Sequence, residues 1–135
     1  MEKITIEATV NAPVEKAWRY YTEPEHITKW NFASNDWHCP RAENDLRPGG
    51  TFNSRMEAKD GSAGFDFAGK YDEVVLHERI VYSFGGRKAT VLFAPDGERT
   101  KLTVAFDPET ENPVEMQCAG WQAILENYKK HVEAV

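Results

Sequence analysis

The chain opens on an alternation. In KITIEATV, Ile4, Ile6, Ala8 and Val10 share one face, and Lys3, Thr5, Glu7 and Thr9 share the other. This is the period-two pattern of a half-buried strand. Asn11-Ala12-Pro13 stops it, and Pro13 suits the first turn of a helix. The period then changes. Val14, Ala17, Trp18 and Tyr21 stand at i, i+3, i+4 and i+7, along one side of a helix. Pro24 opens a second short helix with Ile27 and Trp30 facing inward. Residues 31–48 show no period; they predict an irregular, mobile loop with a short strand near Ala42–Leu46.

Beyond this loop the alternation returns. Phe52, Ser54 and Met56 oppose Asn53, Arg55 and Glu57; Phe65, Phe67, Gly69 and Tyr71 share a face; Leu102, Val104 and Phe106 oppose lysine and threonine. Two further apolar stretches, Ile80–Phe84 and Lys88–Ala94, lie between. Gly85-Gly86 and Pro95-Asp96-Gly97 are hairpin signals. Links this short allow only antiparallel pairing, so five or six strands form a meander. A last helix, from about Pro113 to Glu133, carries a stripe of Val114, Gln117, Cys118, Trp121, Ile124, Leu125, Tyr128 and Val132, with Glu115, Glu126, Lys129 and Lys130 turned to solvent. The order predicts one α+β domain over residues 1–135, a curved antiparallel sheet with the long helix in its concavity.

The inward positions decide between a solid core and a cavity. They are rich in rings (Phe52, Phe65, Phe67, Tyr71, Tyr82, Phe93, Phe106, Trp121, Tyr128) and interrupted by Ser54, Gly69, Ala89 and Gln117. Rings that cannot fully interdigitate leave space, and a few polar groups inside can orient a ligand. The alternative is that the rings fill the core. Gln117 is the polar member of the helix stripe and requires a partner, either a backbone carbonyl or a ligand. Its position one turn before Trp121 predicts that both look toward the same space. Trp30, Phe32 and Trp37, in or beside the aperiodic stretch, read equally as plugs of the core's open end or as a gate.

Composition narrows the function classes. A net charge of −6 argues against a general nucleic-acid binder. The two cysteines, Cys39 and Cys118, form no CxxC and no disulfide framework, consistent with free thiols in the cytoplasm. MEKITIEATV has no apolar signal region, and no run suits a membrane span. None of the four histidines stands at metal-ligand spacing from another or from a cysteine. In DWHCP, His38 and Cys39 are adjacent and point opposite ways in an extended chain, which disfavours a Cys–His nucleophile. RPGG at 47–50 lacks the phosphate-loop pattern and reads as a tight turn. No metal and no cofactor is implied.

Four segments in this order carry a resemblance: NAPVEKAWRYYTEPEHITKW, DLRPGGTF, FAGKYDEVV with ERIVYSF, and GWQAILENYKK. Together they make the chain resemble the helix-grip superfamily, also called SRPBCC or START-like. Within it, the chain is similar to the domain of the heat-shock-protein-90 ATPase activator homologues. The resemblance implies a curved sheet gripping the C-terminal helix, often over an apolar cavity. It leaves activity open, since the fold hosts lipid carriers, cyclases, chaperone cofactors and resistance proteins. The combined reading is a protein that binds a small apolar or aromatic molecule. The expected lining is Phe52, Met56, Phe65, Phe67, Tyr82, Gln117, Trp121 and Leu125, with Trp30, Phe32 and Trp37 at the rim. One alternative is a stress-response module contacting a chaperone, as the family name suggests. Another is a cyclase- or hydrolase-like enzyme, for which Gln117, Tyr71, Tyr82 and Tyr128 are the polar candidates.

Overall fold

The computed structural model describes residues 2–134. Strand β1 (Ile4–Val10) leads into helices α1 (Val14–Thr22) and α2 (Pro24–Trp30). The strands β2 (Trp37–Asn44), β3 (Thr51–Ala58), β4 (Gly64–Val75), β5 (Arg79–Phe84), β6 (Arg87–Asp96) and β7 (Arg99–Phe106) follow, and then helix α3 (Val114–Ala134). All pairings are antiparallel, in the order β1-β7-β6-β5-β4-β3-β2, and the sheet curls into a half-barrel. The first strand closes the meander by pairing with the last, Ile4 opposite Phe106 and Val10 opposite Thr100.

Residues 31–48, expected to be a loop with a strand near Ala42–Leu46, instead contain β2, which starts earlier and ends at Asn44. Its pattern was hidden for a physical reason. The strand lies at the sheet edge, and its register with β3 shifts between His38 and Arg41. Pro40 sits inside that shift, where a missing N–H removes no ladder bond. Gly85 and Gly86 take φ of 55° and 80°, the positive pair that a two-residue hairpin between β5 and β6 requires. At Gly69 the demand is space. A Cβ there would stand 2.3 Å from the Ser83 carbonyl oxygen and 2.8 Å from the tip of the Phe52 ring.

Helix α3 is attached along one side. It packs on β1, α1 and α2. The fully buried Tyr128 donates its hydroxyl to the Ala17 carbonyl at 2.6 Å, Lys129 reaches the Thr9 carbonyl at 2.7 Å, and Trp121 stacks on Phe106 with centroids 3.8 Å apart. Asn127 donates to the Phe32 carbonyl at 2.6 Å. The α2 end is tied to α3 by His26 Nδ1 and His131 Nε2, 3.0 Å apart.

Gln117 corrects the sequence reading. It does not look toward the space beside Trp121. Its Oε1 accepts the Glu109 N–H at 2.8 Å, and its Nε2 donates to the carbonyls of Glu109 (3.1 Å) and Asn112 (2.8 Å). One turn of helix separates it from Trp121, and that turn carries it past the sheet to the incoming loop, whose backbone has unpaired groups to satisfy.

Two expectations follow from these attachments. Gln117→Leu strands three backbone groups and should cost about 1–3 kcal/mol in chemical unfolding; unchanged stability would contradict the bonding described. The His131 pKa is lowered from its ordinary value of 6.5, first by burial and then by the nearby His26, Lys29 and Lys16. As pH falls, the unfolded chain therefore takes up the proton first. Stability is full above about 6.5 and declines below it. Melting temperatures measured between about pH 7 and about pH 5.5 should fall more steeply for the wild type than for His131→Gln, although Glu23, 3.7 Å from His26, offsets part of the charge. Parallel slopes would contradict this.

Candidate functional site

Because α3 is fixed to β1 and the first two helices, the concave face of β3, β4 and β5 curls away beneath it. A cavity of about 310 Å³ remains between them. Strands β3 and β4 supply Phe52, Ser54, Met56, Phe65, Phe67 and Tyr71; β5 and β6 supply Ile80, Tyr82, Phe84 and Arg87; α3 supplies Trp121, Ile124 and Leu125. The first two helices close one end with Tyr21, Thr22, Ile27 and Trp30, beside Asn31, and Ile6 and Val104 form the floor.

The rings brace one another along the walls. Phe52 meets Tyr82 at 5.1 Å and 83°, and Phe67 meets Trp121 at 6.3 Å and 86°. Edge-to-face contacts of this kind are favourable and hold the rings upright against their neighbours, so none swings in to fill the centre. Ser54 and Gly69 keep the adjoining positions small.

The polar groups divide into two sets. One is spent on the protein: the Tyr71 hydroxyl donates to Asn44 Oδ1, Asn44 Nδ2 donates to the Thr22 carbonyl at 2.5 Å, and Thr22 Oγ1 donates to the Trp18 carbonyl at 2.8 Å. This chain ties β4, β2 and α1 together. The second set is unspent. Among the described residues, the hydroxyls of Tyr21, Ser54 and Tyr82 have no hydrogen-bond partner and are not sealed from solvent-sized molecules. Burial raises the pKa of Tyr21, Tyr71 and Tyr82 above the ordinary phenol value, and for Tyr21 and Tyr82 neighbouring tyrosines add to it. These phenols stay protonated and able to donate. Among the described residues lining the cavity there is no carboxylate, imidazole or thiol. The arrangement can hold and orient a guest.

Of the residues expected from the sequence, Trp30, Phe52, Met56, Phe65, Phe67, Tyr82, Trp121 and Leu125 come together around this cavity. Phe32, Trp37 and Gln117 do not. Phe32 lies just past α2 and offers its carbonyl to Asn127. Trp37 begins the edge strand β2 and packs against the outer side of Phe65 at 5.9 Å. The rim loop expected over residues 31–48 is interrupted by β2, which contains Trp37 but not Phe32. Among the lining residues outside that set, Tyr21 and Arg87 bear most on the chemistry. Tyr21 follows Val14, Ala17 and Trp18 along one side of α1, a pattern that gives its direction but not the open space beside it. Arg87 precedes an apolar strand, yet the period-two rule places it on the face of Ala89, Val91 and Phe93, all three buried.

The remaining chemistry-bearing groups lie elsewhere. Cys39 is buried, with its thiol pKa raised by that burial, while His38 turns outward to Glu57 at 3.8 Å. Cys39 and Cys118 are free. Glu23, Glu25 and His26 bring potential metal-ligand atoms within 4.8 Å of one another; acids at the start of a helix also serve its dipole.

Comparison with known proteins places this geometry. The solution structure of an AHSA1-like protein from Aeromonas hydrophila superposes with a TM-score of 0.93 at 43% identity, covering 98% of this chain and 92% of that one. A protein of Cytophaga hutchinsonii gives 0.85 at 51% identity, with the same coverage. A Chromobacterium violaceum protein gives 0.86 at 26%, covering 98% and 97%. No functionally curated protein matches the sequence. The family model for "Activator of Hsp90 ATPase homolog 1-like protein" matches residues 11–133, and the chain belongs to that family.

Proposed function

We propose that this protein binds a small molecule with an apolar or aromatic body in the cavity beneath α3. The observation that carries the reading is the set of hydroxyls on Tyr21, Ser54 and Tyr82, which line an aromatic-walled space and have no protein partner. A dry core would tie such groups up, because an unsatisfied buried hydroxyl costs about 1–3 kcal/mol. A guest or water in the cavity relieves that cost. The size is at the lower end of known ligand sites, about 300–1,000 Å³, which favours a compact guest. Free thiols at Cys39 and Cys118 suit the cytoplasmic location expected from the sequence. A chaperone contact or a role in stress response has the family description as its support. The enzyme alternative lacks a base among the residues that face the guest.

Ser54→Leu tests the reading. Ser54 is only 6% exposed. If the space beside it is vacant, the leucine fills it, stability holds or rises, and affinity for a neutral aromatic probe such as 2-naphthol falls at least about tenfold, or about 1.4 kcal/mol. Calorimetric titration and thermal melting together give the answer. Should the leucine instead cost about 1–3 kcal/mol, as overpacking a filled core does, with probe binding unchanged, the cavity reading fails.

A further inference from the structure

We propose that the guest carries a carboxylate and that Arg87 is the residue that receives it. The inference rests on the cavity being a ligand site and adds the chemical class of what enters. Arg87 is the first residue of β6 and stands on the inward face of the strand, in a wall otherwise built of apolar and aromatic side chains. A charge at such a position is costly unless something compensates it.

Among the described residues no carboxylate forms an ion pair with this guanidinium, and the Asp107 carboxylate feels its charge only from farther off. Arg87 Nε donates to the Asp107 carbonyl at 3.1 Å. Its central carbon sits 4.6 Å from the centroid of the Phe84 ring, a favourable cation–π distance. Those two contacts fix the plane of the fork. Among the described residues its Nη groups make no hydrogen bond, and Arg87 enters no ion pair. The neighbouring carboxylate is already engaged: Asp107 takes Lys3 at 2.7 Å and the Lys88 N–H at 2.9 Å. An oriented guanidinium with free Nη donors matches a carboxylate, which it can bind through two parallel hydrogen bonds.

The rest of the lining agrees with an acceptor on the guest. The Tyr21 and Tyr82 phenols are held protonated and can donate, and no carboxylate lines the cavity among the described residues to repel an anion. The chain as a whole carries −6, so long-range attraction does not favour anions, and any preference for one is local to Arg87.

The test uses an isosteric pair, 2-naphthoate and 2-naphthamide, titrated calorimetrically at neutral pH into the wild type, Arg87→Gln and Arg87→Lys. Both ligands share the bicyclic body and a planar head; one is charged. The expected result is that the wild type binds the naphthoate at least about tenfold more tightly. In Arg87→Gln the preference should drop below about twofold, with the naphthoate losing far more affinity than the naphthamide; a circular-dichroism melt of the variant shows that it is folded. Arg87→Lys should retain part of the preference. Equal binding of the two ligands by the wild type overturns the assignment and leaves the cavity reading intact, and it decides the matter even if Arg87→Gln does not fold. A preference that survives in Arg87→Gln overturns it as well. Failure of both ligands to bind the wild type overturns this inference and the cavity reading together.

Discussion

Tyr128 is fully buried, and its hydroxyl donates to the Ala17 carbonyl at 2.6 Å while its ring meets Tyr21 and Trp30 edge-on. The bond joins the middle of α3 to the backbone of α1. The hydroxyl is buried, so breaking the bond strands its donor in the core, while the Ala17 carbonyl keeps its place in the helical ladder of α1. With Lys129 on Thr9 and Trp121 on Phe106, this bond fixes α3 to the side of the molecule where the chain begins and the meander ends. The far wall, β3 to β5, curls under the helix with aromatic rings between. The cavity is the consequence of that one-sided attachment on a curled sheet.

This arrangement also explains where polarity is found. On the attached side, buried polar groups are satisfied: Thr100 donates to the Ala12 carbonyl at 2.9 Å, and Trp30 Nε1 donates to the Tyr20 carbonyl at 3.0 Å. Around the void, Ser54 and Tyr82 on the sheet, Tyr21 on α1 and Arg87 at the start of β6 are lining residues with unused hydrogen-bond capacity. A side chain that would complete them is missing from α3, which offers Trp121, Ile124 and Leu125 there. The walls supply hydrogen-bond capacity and the roof supplies apolar surface, which is the basis for proposing a guest with an apolar body and a polar head.

The sheet, the helices and part of the cavity's aromatic lining were legible from sequence because they rest on periodicity, and periodicity records which face is buried. Phe52, Met56 and Phe67 fall on one face by counting alone. What stayed hidden lies where burial does not follow a simple period. The edge strand β2 has one side of its backbone free and a register shift at Pro40, so its pattern is broken. Gln117 obeys the stripe but serves a loop, because a period gives direction around the helix and says nothing of position along it. His26 and His131 meet across 105 residues of sequence, a distance that local spacing cannot reach. Arg87 was countable as inward-facing, but its charge made solvent the default expectation.

Whether the space under α3 is truly vacant for a guest can be measured without choosing a ligand. Methyl-resolved NMR of the protein under xenon pressure reads it directly, since xenon enters apolar cavities. Saturable shifts are expected at Ile80, Val104, Ile124 and Leu125, with none comparable at the exposed Val114 and Leu76. Shifts that fail to saturate, or that are no larger at the lining methyls than at the exposed ones, would show a filled core and contradict the cavity reading.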